Sequence, residues 1–339
     1  MVKIMPSKTS TKYLMKIYNW LSQSKNPHPG LINAVNHALT RRIGKRYIEF
    51  ELTNICNARC IFCPYPDFLK TDKKFVRMDF ESYDKALQTI DKLDYSLISF
   101  TPTTGDTLLH PDWDKMMAKA MAMDKIKQVI FYSNVILLDE ECTEKFIQLI
   151  KNDKEKKLFS LMFSVGGMDA ETYKRIFQVN KFDVVVKNIN HFQKRLKEEN
   201  LIIGIYIKMR IPEYHVVDEK TAQNLFNEYK YPYTFVDDNK YFEVSDHVKA
   251  YDELKYTENN VVPKKACSYL QKTRFAADGG IWADGCVLSE LPNDSTLRLG
   301  DLNDSWDNIE KNRNKIVQDW EQKQEIPLPC QGCTIYNCD

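Results

Sequence analysis

Three cysteines fall within eight residues in the segment Cys56-Asn57-Ala58-Arg59-Cys60-Ile61-Phe62-Cys63, spaced x3 and then x2. Three thiolates at that spacing can wrap a cubane iron-sulphur cluster and leave one iron without a protein ligand, and an open iron is a reactive one. A structural zinc site would want a fourth ligand close by. The nearest other His or Cys residues in sequence are His37 upstream and His110 downstream. A second set, Cys267-x18-Cys286-x43-Cys330-x2-Cys333-x4-Cys338, offers five thiols where four close a site. A pair spaced x2 serves zinc and iron-sulphur clusters alike, so on the residues alone the metal there stays open. Cys142, in Asp139-Glu140-Glu141-Cys142 at the start of a helix, stands apart. It reads as structural, although an isolated thiol can also donate a hydrogen atom.

The elements that must carry these residues follow from the patterning. Short apolar segments at 46–53, 95–101, 127–133, 158–165, 201–211 and 233–236 are each followed by a charged helical pattern. Six strand-then-helix units predict a parallel α/β sheet. Ahead of them, Tyr13, Leu14, Ile17, Trp20 and Leu21 share one helical face. The breaker Asn26-Pro27-His28-Pro29-Gly30 separates a second helix, so residues 1–45 read as an N-terminal helical cover. Met116, Met117, Met121 and Met123 are expected to fill the core. From about residue 250 the pattern turns to short segments with turn signals such as Asp278-Gly279-Gly280, and a small metal-stapled domain over 251–339 fits that composition.

The chain has 339 residues and 43% hydrophobic content, enough for one large domain with appendages or for two domains. Its 48 Lys plus Arg nearly balance 47 Asp plus Glu, so no global field draws it to nucleic acid or to an anionic membrane. No apolar run is long enough for a signal peptide or a membrane span, and the expected compartment is the cytoplasm. Thiols stay reduced there, and nine cysteines of which eight lie in two clusters then predict metal or redox chemistry rather than a disulfide framework.

Cys56-x3-Cys60-x2-Cys63, with aromatic Phe62 before the last cysteine, resembles the signature of the radical S-adenosylmethionine (SAM) superfamily. The resemblance runs over roughly residues 46–250. It implies a partial (β/α)6 TIM-like barrel in the α/β class, and a [4Fe-4S] cluster whose open iron is chelated by SAM. Reductive cleavage of SAM would then yield a 5′-deoxyadenosyl radical, with electrons from a donor such as flavodoxin or ferredoxin. Thr104-Gly105-Asp106-Thr107 resembles the family's Gly-Gly-Glu-Pro segment, in which Asp106 would accept the SAM ammonium. Thr104, Asp106 and Thr107 depart from that pattern. Ser133-Asn134 resembles the Thr-Asn-Gly turn, and Phe163-Ser164-Val165-Gly166-Gly167 the Ser-Leu-Asp-Gly segment. With Lys208 and Arg210 on the fifth strand, the expected SAM contacts are Phe62, Gly105, Asp106, Asn134, Ser164 and Arg210. Ligands of α/β folds collect at such strand ends. His110, before Pro111, is expected to set a turn rather than to act as a base.

Phe275-Ala276-Ala277-Asp278-Gly279-Gly280, Leu299-Gly300-Asp301-Leu302-Asn303 and the late cysteine spacing resemble the SPASM and shortened twitch extensions of radical SAM enzymes. That resemblance implies one auxiliary [4Fe-4S] cluster on Cys267, Cys286, Cys330 and Cys333, with Cys338 as a substitute ligand or a free thiol. The expected activity is an oxidoreductase acting on a small molecule such as a sugar or cyclitol. A ribosomal-peptide maturase and a radical epimerase using Cys338 or Cys142 are the enzymatic alternatives, and a zinc-stapled binding protein is the alternative of another class. No motif marks the substrate.

Overall fold

The computed structural model describes residues 48–93, 95–155, 157–201, 203–208, 219–226, 234–237, 264–283 and 294–331, together with helical Ile17. Apart from Ile17, the expected N-terminal cover lies outside the described residues, as do Arg210, Cys286, Cys333 and Cys338.

The six apolar segments become strands β1 (Ile48–Phe50), β2 (Leu97–Phe100), β3 (Gln128–Ser133), β4 (Leu158–Ser164), β5 (Gly204–Lys208) and β6 (Thr234–Asp237). Between them lie α1 (Tyr65–Phe68), α2 (Phe80–Lys92), α3 (Trp113–Met121), α4 (Glu140–Asn152), α5 (Ala170–Phe177), α6 (Phe182–Glu198) and α7 (Glu219–Leu225). Helices α2, α4 and α5 start where Asp79, Asp139 and Asp169 accept the backbone N–H of Ser82, Cys142 and Thr172, meeting donors the first turn leaves unpaired. Strands β1 to β6 pair in parallel in sequence order, the arrangement of a partial (β/α)6 barrel.

The register separates two faces. Phe50, Phe100 and Phe131 share one row, and Phe163 continues the same face of β4. These rings meet the helices: Phe50 lies 5.0 Å from Tyr83, Phe131 4.9 Å from Phe146 and Phe163 5.9 Å from Phe192. Met116, Met117 and Met121 are buried in the same core. Side chains alternate along a strand, so the opposite face is the concave one. It carries Glu49, Glu51, Ser99, Tyr132, Met162, Ser164 and Tyr206, and Tyr132, Met162, Ser164 and Tyr206 are half-exposed where their strand neighbours are fully buried.

The C-terminal segment joins this sheet. β7 (Thr273–Phe275) pairs in parallel with β1, and β8 (Gly280–Ala283) and β9 (Arg298–Asp301) follow antiparallel, giving nine strands in one sheet among the described residues. Helix α8 (Trp306–Lys323) is bound to β7 by Arg313, which donates to Lys272 O at 2.8 Å and Thr273 Oγ1 at 2.6 Å. On the concave face Arg274 donates to Glu51 Oε2 at 2.8 Å, with both side chains buried, and its guanidinium lies 5.1 Å from the Trp282 ring. Removing one member of such a pair strands the other charge in the interior. Arg274→Met should therefore lower stability by about 3–5 kcal/mol. Adding Glu51→Met should recover part of that loss, and urea midpoints of the two single variants and the double one would check it.

Candidate functional site

The cysteine loop leaves β1 and is pinned on both sides. Thr53 Oγ1 donates to Val76 O at 2.9 Å, and Asn54 accepts from Val76 N at 2.7 Å while donating to Lys74 O at 3.1 Å. On the other side Arg59 N donates to Phe177 O and Ile61 N to Ile176 O, each at 3.0 Å. The last carbonyls of α5, which no intrahelical donor can reach, are thus satisfied by the loop that carries the cysteines. Cys56, Cys60 and Cys63 are each half-buried. Ala58 N donates to Cys56 Sγ and Tyr65 N to Cys63 Sγ, both at 3.5 Å.

Burial, and then the neighbouring Asp106 carboxylate, push the Cys56 thiol up to about 12. A bound cation reverses that balance, since metal ligation deprotonates a thiol outright. Among the described residues no three His, Cys, Asp or Glu side chains gather around a point fit for a single ion. A cubane asks for something else, one thiolate on each of three irons.

The loop after β2 approaches the cysteine loop at backbone contact. Asp106 N donates to Ile55 O at 2.9 Å. Gly105 has φ +115, and a Cβ there would stand 2.3 Å from Thr53 O. Asp106 is 3% exposed. Its carboxylate accepts Asn134 N at 2.7 Å, Leu108 N at 3.0 Å and Ser133 Oγ at 3.0 Å on both oxygens. Burial pushes its pKa up to about 6 while these donors hold it down. Expected as the acceptor of the SAM ammonium, Asp106 stands in this structure as a staple from the β2 loop to the end of β3.

Asn134 is tied to the cysteine loop itself. Its Nδ2 donates to Asn57 Oδ1 at 2.7 Å and faces Cys56 Sγ at 3.9 Å, and its Oδ1 accepts Ile136 N at 3.0 Å. Phe62 is buried, with its ring edge-on to Phe177 at 6.1 Å. Ser164 ends β4 half-exposed on the concave face, in register with Lys208. Behind it Gly166 lets Phe177 pack, since a Cβ there would stand 2.1 Å from the ring.

His110 is a turn residue. Its Nδ1 accepts Asp112 N at 3.1 Å, which leaves Nε2 to donate to Met78 O at 2.9 Å, and burial holds its pKa below the ordinary value. Cys142 is buried, and desolvation holds its thiol far above the ordinary range. Cys267 caps a 3-10 turn at Ser268–Gln271 and Cys330 ends another at Leu328–Cys330. Both are half-buried and pack against the same core.

Sequence reasoning passed over Asn57, Glu51, Arg274 and Tyr173. Tyr173, on α5, is fully buried and its hydroxyl has no hydrogen-bond partner. Periodicity marks it only as a core position, and nothing in its own segment says which loop lies above it.

A three-thiol loop at the carboxyl end of the first strand of a partial (β/α)6 barrel defines a class of cluster-bearing enzymes. Residues 50–210 match the model of the Radical SAM superfamily, and the chain carries a domain of that superfamily. It is 24% identical over 159 residues to a GTP 3′,8-cyclase of Clostridium botulinum (strain Okra / Type B1), a match covering 47% of this chain and 44% of that protein. The GTP 3′,8-cyclase of Chlorobaculum tepidum is 26% identical over 156 residues, covering 45% and 43%. The chain thus aligns with less than half the length of the curated relatives it matches. The crystal structure of BtrN in complex with AdoMet and 2-DOIA shares the fold, with TM-score 0.51 and 14% identity over 85% of this chain and 92% of that one. The superfamily implies SAM and a [4Fe-4S] cluster. The donor set fits them: three thiols on one loop, backbone N–H groups on two of the sulphurs, and an unpartnered phenol on the helix that caps the loop. No helix among the described residues is long and apolar enough to cross a membrane.

Proposed function

We propose that this radical SAM enzyme is an oxidoreductase for a small polar molecule, a sugar or cyclitol, with Cys56, Cys60 and Cys63 holding the catalytic cluster. The observation that carries this reading is the concave face below the cysteine loop, where half-exposed Tyr132, Ser164 and Tyr206 carry hydroxyl groups of a kind that can bond to a polar substrate. Bound at the cysteine loop, the cluster and SAM supply a carbon-centred radical that can abstract hydrogen from an unactivated C–H bond.

The protein's own part is to hold and shield. Asp106, Ser133 and Asn134 fix the β2 and β3 ends against Cys56 and Asn57, and Phe62 with Phe177 closes the loop on its core side. Ser164 and the backbone around Gly105 stand at strand ends where SAM would bind, and Arg210 would add a cation for its carboxylate. Dehydrogenation removes two electrons from the substrate and hydrogen abstraction accounts for one. A base would take the remaining proton, and an auxiliary cluster on Cys267, Cys286, Cys330 and Cys333 would take the remaining electron.

The likeness to GTP 3′,8-cyclases favours a second reading, a radical cyclisation of a nucleotide. The same variant separates the two. In the oxidative reading Cys267→Ala should keep slow SAM cleavage yet form no oxidised product, and mass spectrometry should show the parent enzyme's product lighter by two hydrogens. A product of unchanged mass, or a Cys267→Ala enzyme with full turnover, would contradict oxidation.

A further inference from the structure

Helix α5 is clamped directly beneath the cysteine loop. Gly166 and Gly167 admit it, since a Cβ at Gly167 would stand 2.8 Å from Thr172 Cγ2 and 3.0 Å from Tyr173 N. Its last two carbonyls, Ile176 O and Phe177 O, receive the N–H groups of Ile61 and Arg59, the residues on either side of Cys60. Within that helix Tyr173 is fixed by its ring, stacked on Phe177 at 4.9 Å and tilted against Phe182 at 5.8 Å. Its hydroxyl is buried and without a partner. A buried O–H left unpaired is costly, and native structures almost always give such a group an acceptor.

The anionic groups around Tyr173 narrow the choice. Burial and then Cys60, Asp106 and Cys56 hold the phenol above its ordinary range, and a phenol that is protonated at neutral pH in any case can act toward an anion only as a donor. Asp106 is already engaged by Leu108, Ser133 and Asn134. The loop bonded to the end of this helix carries Cys60 between its two donors, which brings sulphur acceptors to that end of α5.

We propose that Tyr173 donates its O–H to a sulphur of the iron-sulphur cluster held by Cys56, Cys60 and Cys63, and thereby raises the potential at which that cluster is reduced. The inference rests on the reading of those cysteines as cluster ligands. Reduction adds negative charge to the sulphurs, a donor there stabilises the reduced state more than the oxidised one, and hydrogen bonds to sulphur are among the levers that set such potentials. Tyr173 is a positioning and tuning residue, and it exchanges no proton in this account.

Tyr173→Phe keeps the ring and removes only the hydroxyl. The test is an anaerobic redox titration of the reconstituted, SAM-free protein followed by electron paramagnetic resonance. The signal of a Cys56→Ala/Cys60→Ala/Cys63→Ala variant is subtracted to remove any auxiliary cluster. Tyr173→Phe should load the same iron as the parent and titrate at a more negative potential. A tenfold fall in the reduced-to-oxidised ratio corresponds to about 59 mV for a one-electron couple, and that is the size expected. Deuterium electron-nuclear double resonance should show an exchangeable proton coupled to the reduced parent cluster and absent from the variant. A loaded variant with the parent's potential and the parent's exchangeable coupling would overturn the inference. A parent that binds no cluster at the loop would overturn the reading beneath it, and iron analysis tells the two failures apart.

Discussion

Gly105→Ala should leave a chain that folds poorly and retains no cluster at the cysteine loop. Two independent penalties meet at that residue. Its φ of +115 lies in a region that side-chain-bearing residues rarely adopt, and a Cβ would sit 2.3 Å from Thr53 O and 3.0 Å from the Asn54 backbone. Neither obstacle is a flexible side chain that could swing aside. Backbone strain and overpacking each cost about 1–3 kcal/mol, so the variant should lose about 2–6 kcal/mol of a total near 5–15 kcal/mol. The loss should not stay local, because Asp106 N holds Ile55 O and the Asp106 carboxylate holds Ser133 and Asn134. Moving the loop after β2 therefore moves Cys56 as well. Gly279→Ala is the control. There φ is +83 but the nearest atom to a new Cβ is Leu302 Cδ1 at 3.8 Å, so only the conformational cost applies. Thermal melts and iron content after reconstitution decide it. A Gly105→Ala protein that melts with the parent and binds the parent's iron would mean that the two loops are not coupled in this way.

The site is a set of strand ends locked to one another through polar side chains. Asp106 spans from the β2 loop to the end of β3, Asn134 from β3 to Asn57 and Cys56, and the cysteine loop from β1 to the end of α5. Such a network rigidifies the mouth of the barrel around the cysteine loop. Fully satisfied polar networks of this kind specify one arrangement, and each missing member leaves buried donors or acceptors unpaired.

The six strands were legible because each is a short apolar run followed by a helical period, and the three-thiol loop because its cysteines lie within eight residues of one another. The position of Asp106 was legible too, but its partners were not. Ser133 and Asn134 lie 27 and 28 residues away, and only the parallel pairing of β2 with β3 brings them to it. The Glu51–Arg274 pair spans 223 residues, so nothing local announces it. For the same reason the sequence does not say where the expected small C-terminal domain joins the rest, and β7 lies beside β1 in a continuous sheet. A composition shift reports a change of local pattern, and it carries no information about which edge of the sheet the next strand will join. Tyr173 shows the same limit, since its ring obeys the core period while nothing in its segment says that the end of its helix is bonded to a loop more than a hundred residues earlier.

Cys56, Cys60 and Cys63 are proposed to hold the cluster at which SAM is cleaved. Changing all three to alanine and measuring iron content together with 5′-deoxyadenosine formation, after anaerobic reconstitution and with dithionite as reductant, tests it most directly. With a cubane cluster at each cysteine set the parent should hold about eight irons per chain and the variant about four. The variant should form no 5′-deoxyadenosine above the protein-free background. Continued formation of 5′-deoxyadenosine by a folded triple variant at the parent's rate would contradict the account.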